Sequence, residues 1–151
     1  SATYQTVSSR NGYEISGRLS QVLALDDTWS LRAAFLGGFE NAKASFETNW
    51  HAGGALGATY RFASPVERLE TPWMIDLDVG YLHRAYDAPD PSISPTLAQR
   101  DNEGWVRGAL GVPLRPDILL SVSAEYRRVQ SNYQTRDYSN TTGMLSVSKV
   151  F

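Results

Sequence analysis

The 151-residue chain contains no cysteine and only two histidines, and it has no long apolar run. Without cysteine it can form no disulfide, thiolate metal site or cysteine nucleophile, and His51 and His83 are too few for a histidine-rich metal cluster. The longest segment free of Asp, Glu, Lys and Arg has thirteen residues, from Thr48 to Tyr60. A membrane helix needs about 20 consecutive apolar residues. The sequence therefore excludes a helical membrane span and thiol chemistry, and it predicts no metal and no cofactor.

Charged residues make up 20% of the chain, and the formal net charge is -2. This balance provides neither the basic surface of a nucleic-acid-binding protein nor an acidic disordered tail. The length suits a single domain, which we place at residues 1–151. The first predicted strand has only about eight residues before the turn at Arg10-Asn11-Gly12. We therefore expect a further domain or additional strands upstream in a longer protein.

Apolar and polar residues alternate with a period of two along most of the chain, which is the pattern of half-exposed β-strands. The run from Asp117 to Val129 alternates most regularly. A helix with this pattern would carry charges around its whole circumference. Seven strands are predicted, at Tyr13–Leu25, Thr28–Glu40, Thr48–Phe62, Trp73–Arg84, Gly104–Leu114, Asp117–Val129 and Thr141–Phe151, with a poorly patterned eighth strand at Ala2–Ser8.

Proline and glycine punctuate the sequence in opposite ways. The seven prolines form three charged clusters, at 65–72, 89–95 and 113–116. Since proline cannot donate to a sheet ladder, these clusters predict connections between strands. Most glycines lie inside the apolar segments, where they allow a sharp bend or give room to a neighbouring side chain. Short turns alternate with longer loops, which predicts an antiparallel up-and-down barrel of about eight strands.

Two barrel architectures fit these strands, and they differ in which face meets water. A soluble container such as a lipocalin turns its apolar face inward, whereas a transmembrane barrel turns it toward lipid. The apolar faces hold on the order of thirty large side chains, too many for the narrow interior of an eight-stranded barrel. Their rings also cluster near the two ends of the strands, as girdles at two membrane interfaces would. The girdle residues are Trp29, Tyr60, Phe62 and Trp73 near the short turns, and Tyr13, Phe39, Trp50, Tyr81 and Tyr126 near the longer loops.

Arginine outnumbers lysine by twelve to two. Arginine suits shielded, bidentate pairing with carboxylates, whereas a solvated sheet face uses lysine freely. We therefore predict an ion-paired lumen in which Arg61 binds Asp76, and Arg107 bridges Asp78 and Glu125. Independent solvated charges are the alternative interpretation. The predicted network comprises Arg18, Arg32, Arg61, Asp76, Asp78, Arg107, Glu125 and Arg127.

The last eleven residues, Thr141 to Phe151, end on a phenylalanine with apolar residues at alternate positions before it. This segment resembles the terminal strand of Gram-negative outer-membrane proteins, and Phe151, Val147 and Leu145 match its pattern. Lys149 departs from it, because an aromatic or apolar residue is common at that position. The resemblance implies recognition of this strand by the outer-membrane assembly machinery, a periplasmic C-terminus, and contact with lipid and lipopolysaccharide.

The final hairpin, Ala124–Asn132 and Asp137–Phe151, is similar to the C-terminal barrel ends of surface lipoprotein assembly modifiers and other tetratricopeptide-linked outer-membrane exporters. The similarity covers roughly the last fifty residues. It implies that the chain is the membrane part of a transport or secretion protein. The loops around 86–100 and 131–139 would then be extracellular.

The sequence offers little support for a catalytic site. Outer-membrane lipid hydrolases use a lipid-facing histidine with a serine two residues away or on the adjoining strand, but Ala85 stands two residues after His83. Asp76 and Asp78 are better explained by ion pairing than by acid–base catalysis. We therefore expect a non-enzymatic, porin-like barrel in the outer membrane. The alternatives are a small structural or adhesion barrel with a plugged lumen and partner-binding loops, and, with least support, a lipid-modifying enzyme.

Overall fold

The computed structural model describes residues 2–9 and 12–151, and in these residues the expected all-β antiparallel fold is confirmed. The only helical element of this part of the chain is one 3-10 turn, Gln134–Arg136. None of its helices has the length and apolarity to cross a membrane. The strands are β1 Ala2–Ser9, β2 Gly12–Ala24, β3 Trp29–Ala42, β4 Asn49–Phe62, β5 Trp73–Pro89, β6 Ala98–Arg115, β7 Ile118–Ser131 and β8 Tyr138–Lys149.

All eight strands belong to one sheet, in which each strand pairs antiparallel with the next along the chain. Spatial order therefore equals chain order, as in an up-and-down meander. Among the described pairings, none joins β1 to β8. The sheet is thus open along two edges, whereas a closed barrel is expected from the sequence.

The hairpin of β5 and β6 extends beyond its predicted ends. β5 continues to Pro89 and β6 begins at Ala98, so the connecting loop shrinks from 86–100 to 90–97. The prediction that prolines lie between strands is wrong for Pro89 and Pro113. Pro89 ends β5 beyond a shift in register, and Pro113 adjoins the shift before Arg115. The ladder is interrupted at both places, and there a strand tolerates a residue without an N–H group.

The register divides the sheet into two faces. One row of the polar face crosses five strands through Arg32, Gly57, Asp78, Arg107 and Glu125. This face is concave, because residues of β2 to β7 together line one cavity of about 440 Å³ on it. The alternate residues of each strand form the opposite, convex face, which is mainly apolar.

The described residues enclose almost no apolar core. The buried apolar side chains among them are those of Val112, Val129 and Tyr133, whereas Leu56 and Leu77 on the convex face are 61% and 54% exposed. The chain exposes 10479 Å². A folded monomer of 16.7 kDa exposes roughly 7,600 Å². The convex face is therefore not covered by the rest of the described chain.

Candidate functional site

A cluster of one arginine, one threonine and two aspartates lies on the concave face of β3, β4 and β5. Arg32 Nη2 lies 2.9 Å from Asp78 Oδ1, and Arg32 Nη1 lies 3.3 Å from Asp76 Oδ1. The buried hydroxyl of Thr59 donates to Asp76 and accepts from Arg32. One cation thus neutralises two carboxylates that would otherwise repel each other.

Glycine at position 57 makes this cluster sterically possible. Gly57 lies between Arg32 and Asp78 in the row across β3, β4 and β5. A Cβ atom at this position would overlap the Asp78 carboxylate and lie 3.0 Å from Arg32 Nη2. Since no side chain intervenes, Arg32 reaches across β4 to β5. The expectation that glycines within strands give room to neighbouring side chains is confirmed here.

A second ionic cluster lies on β6 and β7, nearer the longer loops. Arg127 forms an ion pair with Glu103, and its Nε donates to Glu125 Oε1 at 3.0 Å. Its guanidinium carbon lies 6.0 Å from the ring centre of Trp105, where the positive charge interacts favourably with the ring face. The Trp105 ring covers Gly80 on β5, and a Cβ atom there would overlap it. Again one arginine neutralises two carboxylates.

The predicted ion pair between Arg61 and Asp76 is wrong. Arg61 lies opposite Met74 in the pairing of β4 with β5, one concave position away from Asp76. Its Nη1 donates to Ser30 Oγ on β3 at 3.0 Å. Asp76 is bound by Arg32 instead. The sequence indicated comparable depth for the two residues, but it did not fix the register that the turn at 63–72 imposes.

The predicted bridge by Arg107 is wrong as well. Arg107 lies directly opposite Asp78 and Glu125, as expected. Within the described residues, however, no ion pair joins it to either carboxylate within 4.0 Å, because Arg32 binds Asp78 and Arg127 binds Glu125. The Cβ atoms of directly opposite residues lie only about 5 Å apart. A long arginine side chain therefore reaches diagonal or more distant carboxylates more easily than the one beside it.

The cavity of about 440 Å³ lies between the two ionic clusters. Arg18 from β2 and Arg107 from β6 line it together with members of both clusters. Alanine, valine and leucine side chains complete the lining, so charged groups and small apolar side chains share the wall of the cavity. No group of three or more His, Asp or Glu side chains in the described residues is placed to hold a metal ion.

Four of the rings assigned to girdles form a continuous chain at the short-turn end of the convex face. The ring centres of Trp29 and Tyr60 are 4.7 Å apart, and those of Tyr60 and Phe62 are 5.7 Å apart. Trp73 continues the chain at 6.2 Å from Phe62. These distances are in the range in which aromatic pairs attract each other.

The other five rings assigned to girdles lie on the same face near the longer loops. Phe39 pairs directly with Trp50, and Tyr13 lies 6.5 Å from Phe39 between ring centres. Tyr81 and Tyr126 occupy convex positions on β5 and β7 and are 53% and 46% exposed. The convex face thus has rings at both ends and mainly aliphatic or small side chains between them.

Tyr133 ties the longer loops together, and the sequence pattern does not single it out. Its side chain is 2% exposed. The hydroxyl donates to the carbonyl oxygen of Leu97 and accepts from the Asp90 N–H group at 3.1 Å. The adjacent Asn132 side chain binds the backbone at the start of β6. A lone aromatic residue in a polar loop was the one signal that could have indicated this anchor.

The side chains of the predicted assembly signal are exposed. Leu145 and Val147 lie on the convex face of β8 and are 69% and 66% exposed, and Phe151 beyond the strand is fully exposed. Lys149 Nζ lies 5.1 Å from the ring centre of Phe151. The residue that departs from the family pattern is therefore placed against the terminal ring.

The two histidines lie on opposite faces. His51 lies on the concave face beside Gly38, and His83 lies on the convex face with its Nδ1 2.7 Å from Asn102 Oδ1. Within the described part of the chain, no serine hydroxyl forms a hydrogen bond with either imidazole. The serine–histidine pair of lipid hydrolases is absent from these residues.

Comparison with known proteins supplies no family. No protein-family model, no curated protein and no solved structure matches the chain. What the protein does is therefore inferred from the two faces of its sheet.

Proposed function

We propose that the chain is the membrane-spanning part of a non-enzymatic transport or secretion protein of the bacterial outer membrane. The observation that carries this proposal is the contrast between the two faces of one sheet. Ion pairs occupy the concave face, and exposed apolar side chains occupy the convex face. A soluble container would bury the apolar face, whereas in a bilayer the same side chains contact acyl chains.

The apolar surface is continuous across several strands. Leu19 lies opposite Phe35, Leu56 lies opposite Val79, and all four side chains are between 43% and 63% exposed. A soluble monomer rarely exposes a contiguous apolar patch larger than a few hundred Å². Removing such surface from water lowers the free energy by about 25 cal/mol per Å². Lipid contact is a sufficient reason for a chain to carry so much of it.

The spacing of the aromatic rings supports a bilayer rather than a protein partner. Trp73 and Tyr81 lie on the same face of β5 and are the first and last residues of a nine-residue segment. A tilted transmembrane strand needs about 9–11 residues. Rings at both ends of an aliphatic band also match the preference of amphipathic rings for the two interfaces.

The proposal requires closure of the two sheet edges in the membrane. β1 and β8 each have one paired neighbour among the described strands. An unpaired backbone group in lipid costs several kcal/mol, so a sheet with open edges does not span a bilayer. We infer that β8 gains a second partner on insertion, either β1 or further strands of a longer protein.

Orientation and partners follow from the terminal strand. The uncovered Leu145, Val147 and Phe151 support recognition by the outer-membrane assembly machinery. The C-terminus would then be periplasmic, and the loops at 43–48, 90–97 and 132–137 would face the exterior and its lipopolysaccharide. A periplasmic domain or additional barrel strands upstream belong to the same proposal.

The proposal is tested with a matched pair of single-cysteine variants, which is clean because the chain has no cysteine. Val122 and Ser123 are consecutive residues of β7 at the same depth, the first convex and the second concave. Each variant, Val122→Cys and Ser123→Cys, carries an environment-sensitive fluorophore and is inserted into vesicles. We expect the label at 122 to be quenched by a lipid-attached nitroxide and the label at 123 by aqueous iodide.

Amide exchange and the behaviour of the chain in buffer without detergent provide two further readouts. Amide exchange of residues 141–147 should slow on insertion, because β8 gains a second paired edge. Labels that are both accessible to iodide would contradict the assignment. So would a chain that stays monodisperse in buffer without detergent while its label at 122 is shielded.

A plugged structural or adhesion barrel is the second candidate, favoured by the ion-paired concave face and by the anchored outer loops. Planar-bilayer recordings separate the two functions. A transport segment should conduct ions through the space beside Arg18 and Arg107. An inserted but silent chain favours the plugged barrel, particularly if Arg32→Ala opens a conductance that Arg115→Ala does not.

A further inference from the structure

Polarity on the convex face changes in steps toward the longer loops. Across β5, β6 and β7 the successive rows are Val79, Val106 and Tyr126, then Tyr81, Gly104 and Arg128, then His83, Asn102 and Gln130. Arg100 follows, opposite Ala85. Since each row adds roughly 7 Å, the face passes from apolar side chains to hydrogen-bond donors and cations within about 20 Å.

His83, Asn102 and Tyr81 form a hydrogen-bonded group on this face. The Tyr81 hydroxyl donates to Asn102 Oδ1 at 2.6 Å, and His83 Nδ1 lies 2.7 Å from the same oxygen. Because an amide oxygen only accepts, Nδ1 carries the proton. The Trp50 ring lies 5.3 Å from the imidazole between centres and limits its rotation. Among the described residues no side chain binds the Asn102 amide nitrogen, which is therefore available to a ligand.

Two arginines beside this group have no partner in the described chain. Arg100 and Arg128 are exposed, and their guanidinium groups form no hydrogen bond or ion pair there. The nearby carboxylate of Asp87, in the irregular end of β5, forms none with them within 4.0 Å. On the concave face, by contrast, Arg32 and Arg127 are each neutralised by two carboxylates.

An uncovered glycine lies among these donors, between Tyr81 and Arg128. A Cβ atom added at Gly104 would meet no other atom within 4 Å. Tyr81 and Arg128 lie opposite Gly104 on its two sides, and Asn102 is the next convex residue along β6. Position 104 is therefore open surface, with the Tyr81 and Arg128 side chains beside it and the Asn102 amide toward the longer loops.

We propose that this open surface around Gly104 binds the phosphate group of an anionic lipid headgroup, with Arg128, Arg100 and the Asn102 amide as donors. The inference rests on the proposed function, because a headgroup lies beside the convex face only when that face is in a bilayer. Arginine offers a planar fork of N–H groups that matches phosphate oxygens bidentately. Asn102 and Arg100 lie one and two rows beyond Tyr81 toward the longer loops, which is the depth of headgroups relative to an aromatic girdle.

The experiment uses the full chain folded in detergent micelles, with lipid binding measured by native mass spectrometry. The probes are bisphosphorylated lipid A and the same lipid without phosphates, and phosphatidylglycerol against diacylglycerol, which has no phosphate. We expect each phosphorylated or anionic probe that reaches the site to bind at least about tenfold more tightly than its counterpart, as for a charge-assisted hydrogen bond. Preference in the lipid A pair identifies lipid A as the source, and preference in the phosphatidylglycerol pair identifies phospholipid.

The variants come with matched controls on the same chain. Arg128→Gln should weaken binding about tenfold, whereas Arg68→Gln, at an exposed turn on the opposite rim, should leave it unchanged. Gly104→Leu should place a bulky side chain between the donors and weaken binding without altering charge. Gly108→Leu is its control, because position 108 is a convex glycine of the same strand that is equally open.

The outcomes separate this inference from the proposed function. Insertion is established first with the label at Val122→Cys, and a chain that does not insert overturns the proposed function itself. An inserted chain that does not discriminate within either lipid pair overturns only the phosphate site. Equal weakening by Gly104→Leu and Gly108→Leu, or by Arg128→Gln and Arg68→Gln, overturns it as well. Circular dichroism of each variant ensures that a loss of binding is not a loss of folding.

Discussion

The two faces of this sheet consist of alternate residues of the same strands, yet their side chains are satisfied in different ways. Arg32 on the concave face binds two carboxylates, whereas its neighbour Leu31 on the convex face is 40% exposed. The two ionic clusters of the concave face are thus neutralised within the described chain, while the convex face requires surroundings that these residues do not supply. The difference predicts that concave substitutions act through side-chain partners and convex substitutions through the surrounding solvent.

The largest effect should come from a charge in the middle of the convex face. Leu77 lies midway between Trp73 and Tyr81 on β5. We expect Leu77→Arg to lower the free energy of unfolding in vesicles by about 3 kcal/mol, because an arginine is costly near the bilayer midplane. Urea titration followed by tryptophan fluorescence measures the change. Val66→Arg, in the turn between β4 and β5, should have almost no effect, and equal losses would remove the distinction between the faces.

A smaller loss in the free energy of unfolding is expected when the cation of the first ionic cluster, Arg32, is removed. Arg32→Met leaves Asp76 and Asp78 without a positive partner and should cost about 2 kcal/mol. The loss is less than for a fully buried pair, because these side chains are 24–33% exposed. Chemical denaturation measures it, and a further Asp78→Asn change should recover part of it. Arg107→Met, which removes an arginine without an ion pair among the described residues, should be nearly neutral; a comparable loss would contradict the assigned partners.

The anchor of the outer loops should yield a more local effect. Tyr133→Phe removes the hydroxyl that joins Leu97 and the Asp90 N–H group, and it should destabilise this region by about 1 kcal/mol. Amide exchange of residues 90–97 should accelerate while that of the strands stays constant. Tyr138→Phe is the control, because Tyr138 is 55% exposed. Faster exchange throughout the sheet would show that Tyr133 supports the fold rather than the loops.

The smallest effect concerns pH at the same loop. The Ser92 hydroxyl and N–H group donate to Asp90 Oδ1 at 2.6 and 2.9 Å and lower the pKa of the Asp90 carboxyl. The ionised form is therefore favoured by the folded loop, so its contribution is present above the ordinary carboxyl pKa and is lost as pH falls through the lowered value. The Ser92 amide resonance, followed by NMR from pH 6 to pH 2, should report this step. Asp90→Asn should remove the step, and a step that persists belongs to another group.

The sequence predicted strands and faces better than it predicted partners and ends. Period-two alternation is local, so it located seven of the strands and assigned Leu77 and Asp78 to opposite faces, whereas the strand at Ala2–Ser8 is poorly patterned. Ion pairing depends on register and on side-chain reach, which are not local. Arg32 contacts Asp78 only because Gly57, on the intervening strand, has no side chain. The rule that prolines lie between strands failed at Pro113 because a shift in register adjoins it.

Alternation along the chain by itself determined an antiparallel all-β meander. It also determined that one face is ionic and the other apolar, since neighbouring residues of a strand must point in opposite directions. Only the tertiary structure decided which charges meet, that Tyr133 anchors the outer loops, and that Arg100 and Arg128 have no partners in the described chain. These features depend on distances between side chains far apart in sequence, and the register and curvature of the sheet set those distances.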